Sequence, residues 1–233
     1  MDRGIFEEEH EMFRDASRSF LQNEFGPHAD RWAEQEIVDR EAFLKAGEQG
    51  LLCMWADEKY GGAGVSDFRY EQVLIEENAY YGDAGFFATL HNRLVGPYLG
   101  ALGTEEQKAR WLPKCVSGEH ILAIAMTEPG AGSDVAGMRT KAEDKGDHYL
   151  LNGSKIYISN GILADLVVVA AKTDPGKSHG MSLFVIERGM EGYERGRNLK
   201  KMGLNSQDTA ELFFNNDKVP KEKLLGVRNK GFY

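Results

Sequence analysis

The chain has 233 residues, of which 42% are hydrophobic, and its 28 basic and 37 acidic residues give a formal net charge of −9. A chain of this length can bury a good core, as one large domain or two smaller ones. The net negative charge argues against a nucleic-acid-binding surface, and two cysteines are too few for a disulfide scaffold. No apolar run approaches the ~20 residues of a membrane span.

Apolar residues in the first half of the chain recur with a helical period. Phe6, Phe13 and Phe20 recur every seven residues, which predicts an amphipathic helix over 5–25. Further helices are predicted over 28–37, over 40–49 after an N-cap at Asp39, from Ser66 or Asp67 to about Gly82, over 84–102 with a kink at Pro97, and from a capping box of Thr104 and Gln107 to Pro113.

After Cys115 the pattern changes from helical to extended. Apolar or alternating runs predict strands over 121–126, 139–144, 149–152, 155–159, 166–172, 181–187 and 211–215, with turn signals such as Asn152-Gly153 between them. Short strands joined by tight turns form a barrel or a sandwich. We therefore predict an α+β chain, with a helical N-terminal domain at residues 1–115 and a middle β-barrel domain at residues 116–233.

A glycine-punctuated loop follows the first predicted strand. Gly130 and Gly132 leave the backbone unshielded, so that N–H groups can turn toward an anion or a polar ring edge. The segment approaches the dinucleotide fingerprint, but Val135 stands where the third glycine belongs and a strand follows, which argues against a Rossmann site. From the residues alone, the loop is either a cofactor or anion cradle or a structural connection.

Metal and nucleophile chemistry find little support. The six histidines do not have the spacing of metal ligands with one another or with the cysteines. The sequence contains neither a nucleophile-elbow motif nor a P-loop motif. Glu128 and Asp134 lie six residues apart across the glycine loop, and we expect them to help hold this loop rather than act as a catalytic pair.

Three blocks of sequence resemble the acyl-CoA dehydrogenase family. They are residues 125–137 (AMTEPGAGSDVAG), residues 152–161 (NGSKIYISNG), and residues 202–220, from MGL through DTAEL to VP. The helices before Val116 also look like the N-terminal domain of that family, so the resemblance covers nearly the whole chain. The segment GLNSQDTAELFF is most similar to the long-chain type of this family.

The resemblance implies that FAD is the cofactor. Thr127 would hydrogen-bond the polar edge of the flavin, Tyr157 would stack on its ring where many members carry Trp, and Ser159 would lie near N5. From the residues alone, Tyr157 could instead be a barrel-core aromatic and Ser159 a satisfied strand hydroxyl. The implied FAD-binding residues are Ala125, Met126, Thr127, Gly132, Ser133, Tyr157, Ile158 and Ser159, and the implied acyl-CoA-binding residues are Ser133, Ser178 and His179.

The resemblance also implies an activity, the α,β-dehydrogenation of a fatty acyl-CoA to the trans-2-enoyl-CoA. Electrons would pass to an electron-transferring flavoprotein, and the full-length protein would be a homotetramer. The family's catalytic base is a glutamate of a C-terminal helical domain, which would begin where this chain stops at Tyr233. We therefore expect no catalytic base in this chain, at most weak flavin affinity and no turnover.

Two other functions stay open at this point. One is a non-catalytic flavin or acyl-CoA-binding or interaction module, and the other is a flavoenzyme similar to an acyl-CoA oxidase. The N-terminus has Glu7, Glu8 and Glu9 where a leader would be apolar or Arg-rich. A bacterial cytoplasm or, for a mature chain, the mitochondrial matrix is the expected location.

Overall fold

The computed structural model describes residues 4–177 and 179–231. Among these residues, no helix has the length and apolar character needed to cross a bilayer. Helices occupy the first half of the described chain: α1 (Glu8–Glu24), α2 (Ala29–Gln35), α3 (Glu41–Glu48), α4 (Phe68–Tyr81), α5 (Gly96–Leu102) and α6 (Glu105–Val116). The predicted helical N-terminal part is therefore confirmed.

Local capping explains where several of these helices begin. The Thr104 hydroxyl accepts from the Gln107 N–H at 3.2 Å and the Gln107 side chain accepts from the Thr104 N–H at 2.9 Å, so the predicted capping box starts α6. Asp67 caps α4 as expected, through the Arg69 N–H at 2.9 Å. The predicted cap at Asp39 is wrong, because its carboxylate pairs with Arg31 and α3 begins two residues later without a side-chain cap.

The predicted helix over 84–102 is wrong in its first part. Residues 84–85 form a turn, residues 86–87 have no regular structure, helical residues begin at Ala88, a π-helix follows at Leu90–Val95, and α5 begins at Gly96. Pro97 lies in the first turn of α5, directly after the π-helix. The predicted stop of α6 at Pro113 is also wrong, because the Pro113 carbonyl still accepts from the Ser117 N–H at 3.0 Å.

The second half forms one sheet of eight strands within the described residues. The strands are β1 (Leu122–Ala125), β2 (Lys141–Asp144), β3 (His148–Ser159), β4 (Leu166–Lys172), β5 (Met181–Glu187), β6 (Tyr193–Asn198), β7 (Thr209–Pro220) and β8 (Leu224–Leu225). Their order is β6-β7-β3-β2-β4-β5-β8, and β1 pairs in parallel with β4.

The predicted β-barrel is wrong, because the sheet is open. A barrel closes only when its first and last strands pair, and here β6 and β8 stand at opposite edges of the strand order. Strand β8 has two residues and meets only Leu183 and Phe184 of β5, which leaves little backbone for a closing ladder. Neither β6 nor β8 was predicted, since both are short and lack a clear alternating pattern.

Strand β3 is one long strand where two short strands were predicted. Asn152-Gly153 forms a β-bulge rather than a turn, with a register shift against β7 between Leu151 and Gly153. Gly153 has φ +148°, and a Cβ there would lie 2.4 Å from Thr140 Oγ1. The glycine is thus needed for a close approach between neighbouring segments and not for a hairpin.

Buried side chains join the helices to the sheet. One cluster lies among the helices around Phe25, Trp32 and Phe43, and a second lies on one face of the sheet around Tyr149 and Phe184. A third contains Trp111 and Leu112 of α6 together with Leu122, Val168 and Leu183 of the sheet. Burial of these apolar side chains contributes most of the favourable free energy that holds the helices on the sheet.

Candidate functional site

The loop of residues 126–140, which follows β1, is ordered by its own hydrogen bonds. Glu128 and Ala131 exchange two backbone hydrogen bonds of 2.9 and 3.1 Å, which close a tight turn. The Asp134 side chain then caps a 3-10 turn at Val135–Gly137 through the Gly137 N–H at 3.2 Å. Strand β2 follows and not an α-helix, which agrees with the argument against a Rossmann site.

A buried ion pair anchors this loop to β3. Lys155 Nζ donates to Glu128 Oε1 and to the Met126 carbonyl, each at 2.9 Å, and the two charged side chains are 0% and 6% exposed. Glu128 also accepts from the backbone N–H groups of Arg139 at 2.6 Å and Thr140 at 3.0 Å. The expectation that Glu128 and Asp134 hold the loop is therefore confirmed.

Burial and hydrogen bonding shift the pKa values of this pair. Burial raises the pKa of Glu128, but its hydrogen bonds with Thr140, Arg139 and Lys155 outweigh that effect and lower the pKa overall. Burial lowers the pKa of Lys155, against the opposing effect of Glu128. The carboxylate is thus held ionised by the loop that it organises.

Tyr157 presents its ring to solvent beside this loop. It has φ +61°, at a second register shift of β3 against β7 between Lys155 and Ile158. Its side chain is 66% exposed, which excludes a barrel-core role. The N–H of the preceding residue, Ile156, donates to the Thr127 carbonyl at 3.0 Å, so Tyr157 and Thr127 lie on adjacent segments. A left-handed aromatic residue at a bulge is strained, which points to a functional use of the ring.

An apolar cavity of about 490 Å³ opens near the end of the same strand. Ser159 lines it, together with residues of α4, of the segment 82–89 and of the loop before β7. Its apolar lining includes Ile75, Ala79, Phe86, Phe87 and Leu204. No carboxylate lines the cavity in the part of the chain that the structure describes. Strand β3 therefore carries an exposed ring at Tyr157 and reaches an apolar cavity at Ser159.

Gly85 and Ser206 are in close contact, and each is the chain neighbour of a residue that lines this cavity, Phe86 and Gln207. The Gly85 N–H donates to Ser206 Oγ at 3.1 Å, and a Cβ at Gly85 would lie 2.3 Å from the Ser206 carbonyl oxygen. We expect Gly85→Ala to lower the free energy of unfolding by about 1–3 kcal/mol, because the two segments must separate. Urea denaturation would measure this loss.

Gly26→Ala is the matched control for that substitution, because a Cβ at Gly26 meets no atom within 4 Å. We expect it to change the free energy of unfolding by less than about 0.5 kcal/mol. Equal stability of the two variants would contradict the role given to the contact between Gly85 and Ser206.

The remaining implied binding residues occupy different surroundings. Gly132 and Ser133 are exposed, whereas Ala125 and Ile158 are buried in the sheet at 0% and 2% exposure. The last two could offer a ligand only backbone atoms. His179 lies half-buried in the turn between β4 and β5, and Ser178 lies outside the described residues.

Lys155 and the cavity residues of the helical half were missed by the sequence reasoning. Lys155 lies inside a resembling block, but a lysine in a strand ordinarily faces solvent. The cavity residues come from α4 and from residues 82–89, far from the glycine loop along the chain. No local pattern could have assigned them to one site.

One other cluster has the spacing of a metal site. Ligand atoms of Glu7, Glu9 and His10 lie within 4.8 Å of one another. His10 Nδ1 accepts from the Glu7 N–H at 3.1 Å and its Nε2 lies 3.3 Å from an Asp67 carboxylate oxygen. Because both ring nitrogens have protein partners, this cluster is better described as the capping box of α1.

Comparison with known proteins finds relatives over nearly the whole chain. The family profile described as acyl-CoA dehydrogenase, N-terminal domain, matches residues 7–119, and the profile described as acyl-CoA dehydrogenase, middle domain, matches residues 123–216. The long-chain specific acyl-CoA dehydrogenase, mitochondrial, of Mus musculus is 48% identical over 99% of this chain and 54% of its own length.

Solved structures share the fold as well. The acyl-CoA dehydrogenase of Geobacillus kaustophilus superposes with a TM-score of 0.96 at 53% identity, over 100% of this chain and 62% of that chain. The acyl-CoA dehydrogenase of Bacillus anthracis, described as complexed with FAD, gives a TM-score of 0.90 at 33% identity, over 100% of this chain and 40% of that chain. This chain spans about half the length of the curated relatives it matches.

Proposed function

Because the chain belongs to the acyl-CoA dehydrogenase family, we propose that it is the N-terminal helical and middle sheet portion of an FAD-dependent acyl-CoA dehydrogenase. The resemblance to this family, and to its long-chain type, is confirmed by the matches over nearly the whole chain. The parent enzyme would oxidise a fatty acyl-CoA to the trans-2-enoyl-CoA. We also propose that residues 1–115 and 116–233 are separate domains.

The observation that carries this proposal is the placement of Tyr157. Its side chain is exposed, the N–H of the residue before it donates to the Thr127 carbonyl, and the same strand reaches the apolar cavity two residues later at Ser159. A flavin needs a flat apolar surface and hydrogen-bond donors at its polar edge, and an acyl chain needs an apolar cavity. These residues supply both requirements next to each other.

The residues of the glycine loop fit FAD. A Cβ at Gly130 or Gly132 would meet no atom within 4 Å, so the outer side of the loop is open to a large ligand. We propose that the Thr127 hydroxyl and the backbone around Met126 hold the polar edge of the flavin. Gly132 and Ser133 would approach its pyrophosphate. The flavin supplies the acceptor for the electrons that leave the acyl chain.

The described residues contribute binding and orientation to the reaction. The cavity at Ser159 would take the acyl chain and exclude water from it, and Ser133 with the loop containing His179 would lie along the CoA part. Because no carboxylate of the described residues lines this cavity, we propose that another part of the protein removes the α proton. We also propose that the parent enzyme passes its electrons to an electron-transferring flavoprotein and that it assembles as a homotetramer.

Titration of the purified chain with FAD tests the role of Tyr157. We expect weak binding to the wild type, similar binding to Tyr157→Trp, and about 3- to 10-fold weaker binding to Tyr157→Ala, because the aromatic stack is lost. Flavin fluorescence would measure the affinity. In the same samples, a long-chain acyl-CoA should leave the bound flavin oxidised, because the described residues place no carboxylate in the cavity.

Tyr80→Ala is the matched control, because Tyr80 is 81% exposed on α4 and does not line the cavity. It should bind FAD as the wild type does. The proposal fails if the wild type binds no FAD, or if Tyr157→Ala and Tyr80→Ala bind it equally well. Appreciable reduction of the flavin by acyl-CoA would refute the assignment of the base to another part of the protein.

A further inference from the structure

A groove of about 370 Å³ opens where β2 and β4 separate. The two strands pair in parallel at a single position, Lys141 opposite Lys172, and then diverge. Side chains at paired positions of a sheet lie on the same face, so these two lysines lie side by side and both line the groove. Arg228 lines it from a third segment.

The acidic residues of the groove already have cationic partners. Glu143 pairs with Lys145 at 2.6 Å, and Asp144 pairs with both Lys221 and Arg228, the latter at 2.9 Å. Lys141 and Lys172 have no ion-pair partner within residues 4–177 and 179–231. Like charges held opposite each other are unfavourable. The groove therefore has an excess of positive charge that an anion would neutralise.

The groove also lies where two loops that we assign to CoA begin and end. The glycine loop runs through Thr140, whose N–H is fixed by Glu128 at 3.0 Å, directly into Lys141. The Thr140 carbonyl accepts from the Lys172 N–H at 2.9 Å. Beyond Lys172, the Thr173 N–H donates to the Gly180 carbonyl at 2.9 Å, which closes the loop that contains His179.

We propose that this groove binds a phosphate group through Lys141, Lys172 and Arg228. The proposed function supplies the ligand, because CoA carries a 3′-phosphate and a diphosphate at the end remote from the thioester. Free inorganic phosphate has the same chemistry. A dianionic phosphate satisfies two lysines at once, and Arg228, which remains paired with Asp144, adds positive charge to the groove. The site would set affinity for the CoA part of the substrate and leave the acyl cavity unaffected.

Isothermal titration at low salt tests this site, with CoA, dephospho-CoA, pantetheine and inorganic phosphate as separate probes. We expect the double variant Lys141→Gln/Lys172→Gln to bind CoA about 5- to 10-fold more weakly than the wild type, while pantetheine binding stays unchanged. Dephospho-CoA distinguishes the two phosphate positions. If the wild type binds dephospho-CoA as weakly as the variant binds CoA, the groove holds the 3′-phosphate. If the variant binds dephospho-CoA more weakly than the wild type does, the groove holds the diphosphate.

A double variant of equal charge change, Lys114→Gln/Lys218→Gln, serves as control, because neither lysine lines the groove. Thermal melting would verify that both variants fold. Equal CoA and phosphate affinities of the two variants would overturn the proposed site. If the wild type binds no CoA, the proposed function fails by itself, and the inorganic phosphate titration still tests the groove: weaker binding to the groove variant supports a free-phosphate site, and unchanged binding refutes it.

Discussion

Lys155→Met is expected to lower the free energy of unfolding by about 3–5 kcal/mol, because it leaves a buried carboxylate without its cation. Glu128 is 6% exposed and faces Lys155 Nζ at 2.9 Å. The substitution also removes the donor to the Met126 carbonyl, which sits at the start of the glycine loop. Urea denaturation monitored by circular dichroism would measure the loss.

Lys145→Met provides a matched control for this loss. Lys145 pairs with Glu143 at 2.6 Å, but the two side chains are 38% and 56% exposed. An exposed pair contributes about 0–1 kcal/mol, so this variant should remain close to the wild type. Equal stabilities of Lys155→Met and Lys145→Met would show that burial of the ion pair has no energetic consequence.

A second substitution separates the buried charge from the lost packing. Glu128→Gln removes the negative charge and keeps one acceptor oxygen, so that one of the two N–H groups of Arg139 and Thr140 retains its partner. The double variant Lys155→Met/Glu128→Gln should therefore regain about 1–2 kcal/mol over Lys155→Met alone. A double variant less stable than Lys155→Met would contradict the assignment of the loss to an unpaired charge.

Asp217→Val is expected to stabilise the protein at neutral pH, by about 2–4 kcal/mol at about pH 8. Asp217 lies within β7, is 0% exposed, and neither of its carboxylate oxygens has a hydrogen-bond partner among the described residues. Burial raises its pKa from 3.8 to about 7. Valine fits a buried strand position and removes the cost of an unpartnered carboxylate.

The sign of the pH dependence follows from this raised pKa. The Asp217 carboxyl binds its proton more tightly in the folded state than in the unfolded state. Below the unfolded-state pKa of 3.8 the carboxyl is neutral in both states, and burying it then carries no cost of ionisation. Stability is then lost as the pH rises from about 4 to about 7, where the folded-state carboxyl ionises. The gain from Asp217→Val should accordingly be larger at about pH 8 than at about pH 5.

Chemical denaturation at both pH values would measure this gain, with Asp15→Ala as the control. The Asp15 side chain is 79% exposed on α1, so its loss should change stability by less than about 0.5 kcal/mol. A gain from Asp217→Val that is the same at both pH values would show that the carboxyl does not titrate with folding.

The elements that sequence reasoning located well carry their signals locally. Strands β4 and β5 have the predicted bounds because each is a continuous apolar run between turn residues, and it is buried on both faces. The capping box of Thr104 and Gln107 lies within four consecutive residues. The glycine loop was located for the same reason, because its glycines follow the preceding strand directly in the chain.

The elements that were mispredicted depend on partners far along the chain. Gly153 was assigned to a turn, but its conformation serves the approach of Thr140 within the sheet. The barrel was predicted from strand number and spacing, although closure depends on which strands stand at the edges. The irregular start of the segment after Gly82 reflects the contact between Gly85 and Ser206.

The sequence by itself determined the helical first half, the strand-rich second half, the family and the position of the glycine loop, because periodicity, capping and ordered motifs are all readable along the chain. Only the tertiary structure decided that the sheet is open, that Lys155 and Glu128 form a buried pair, and that Ser159 lines a cavity walled by α4. These features require side chains separated by dozens of residues to meet. Their energies depend on burial and on partners, which no local pattern of residues specifies.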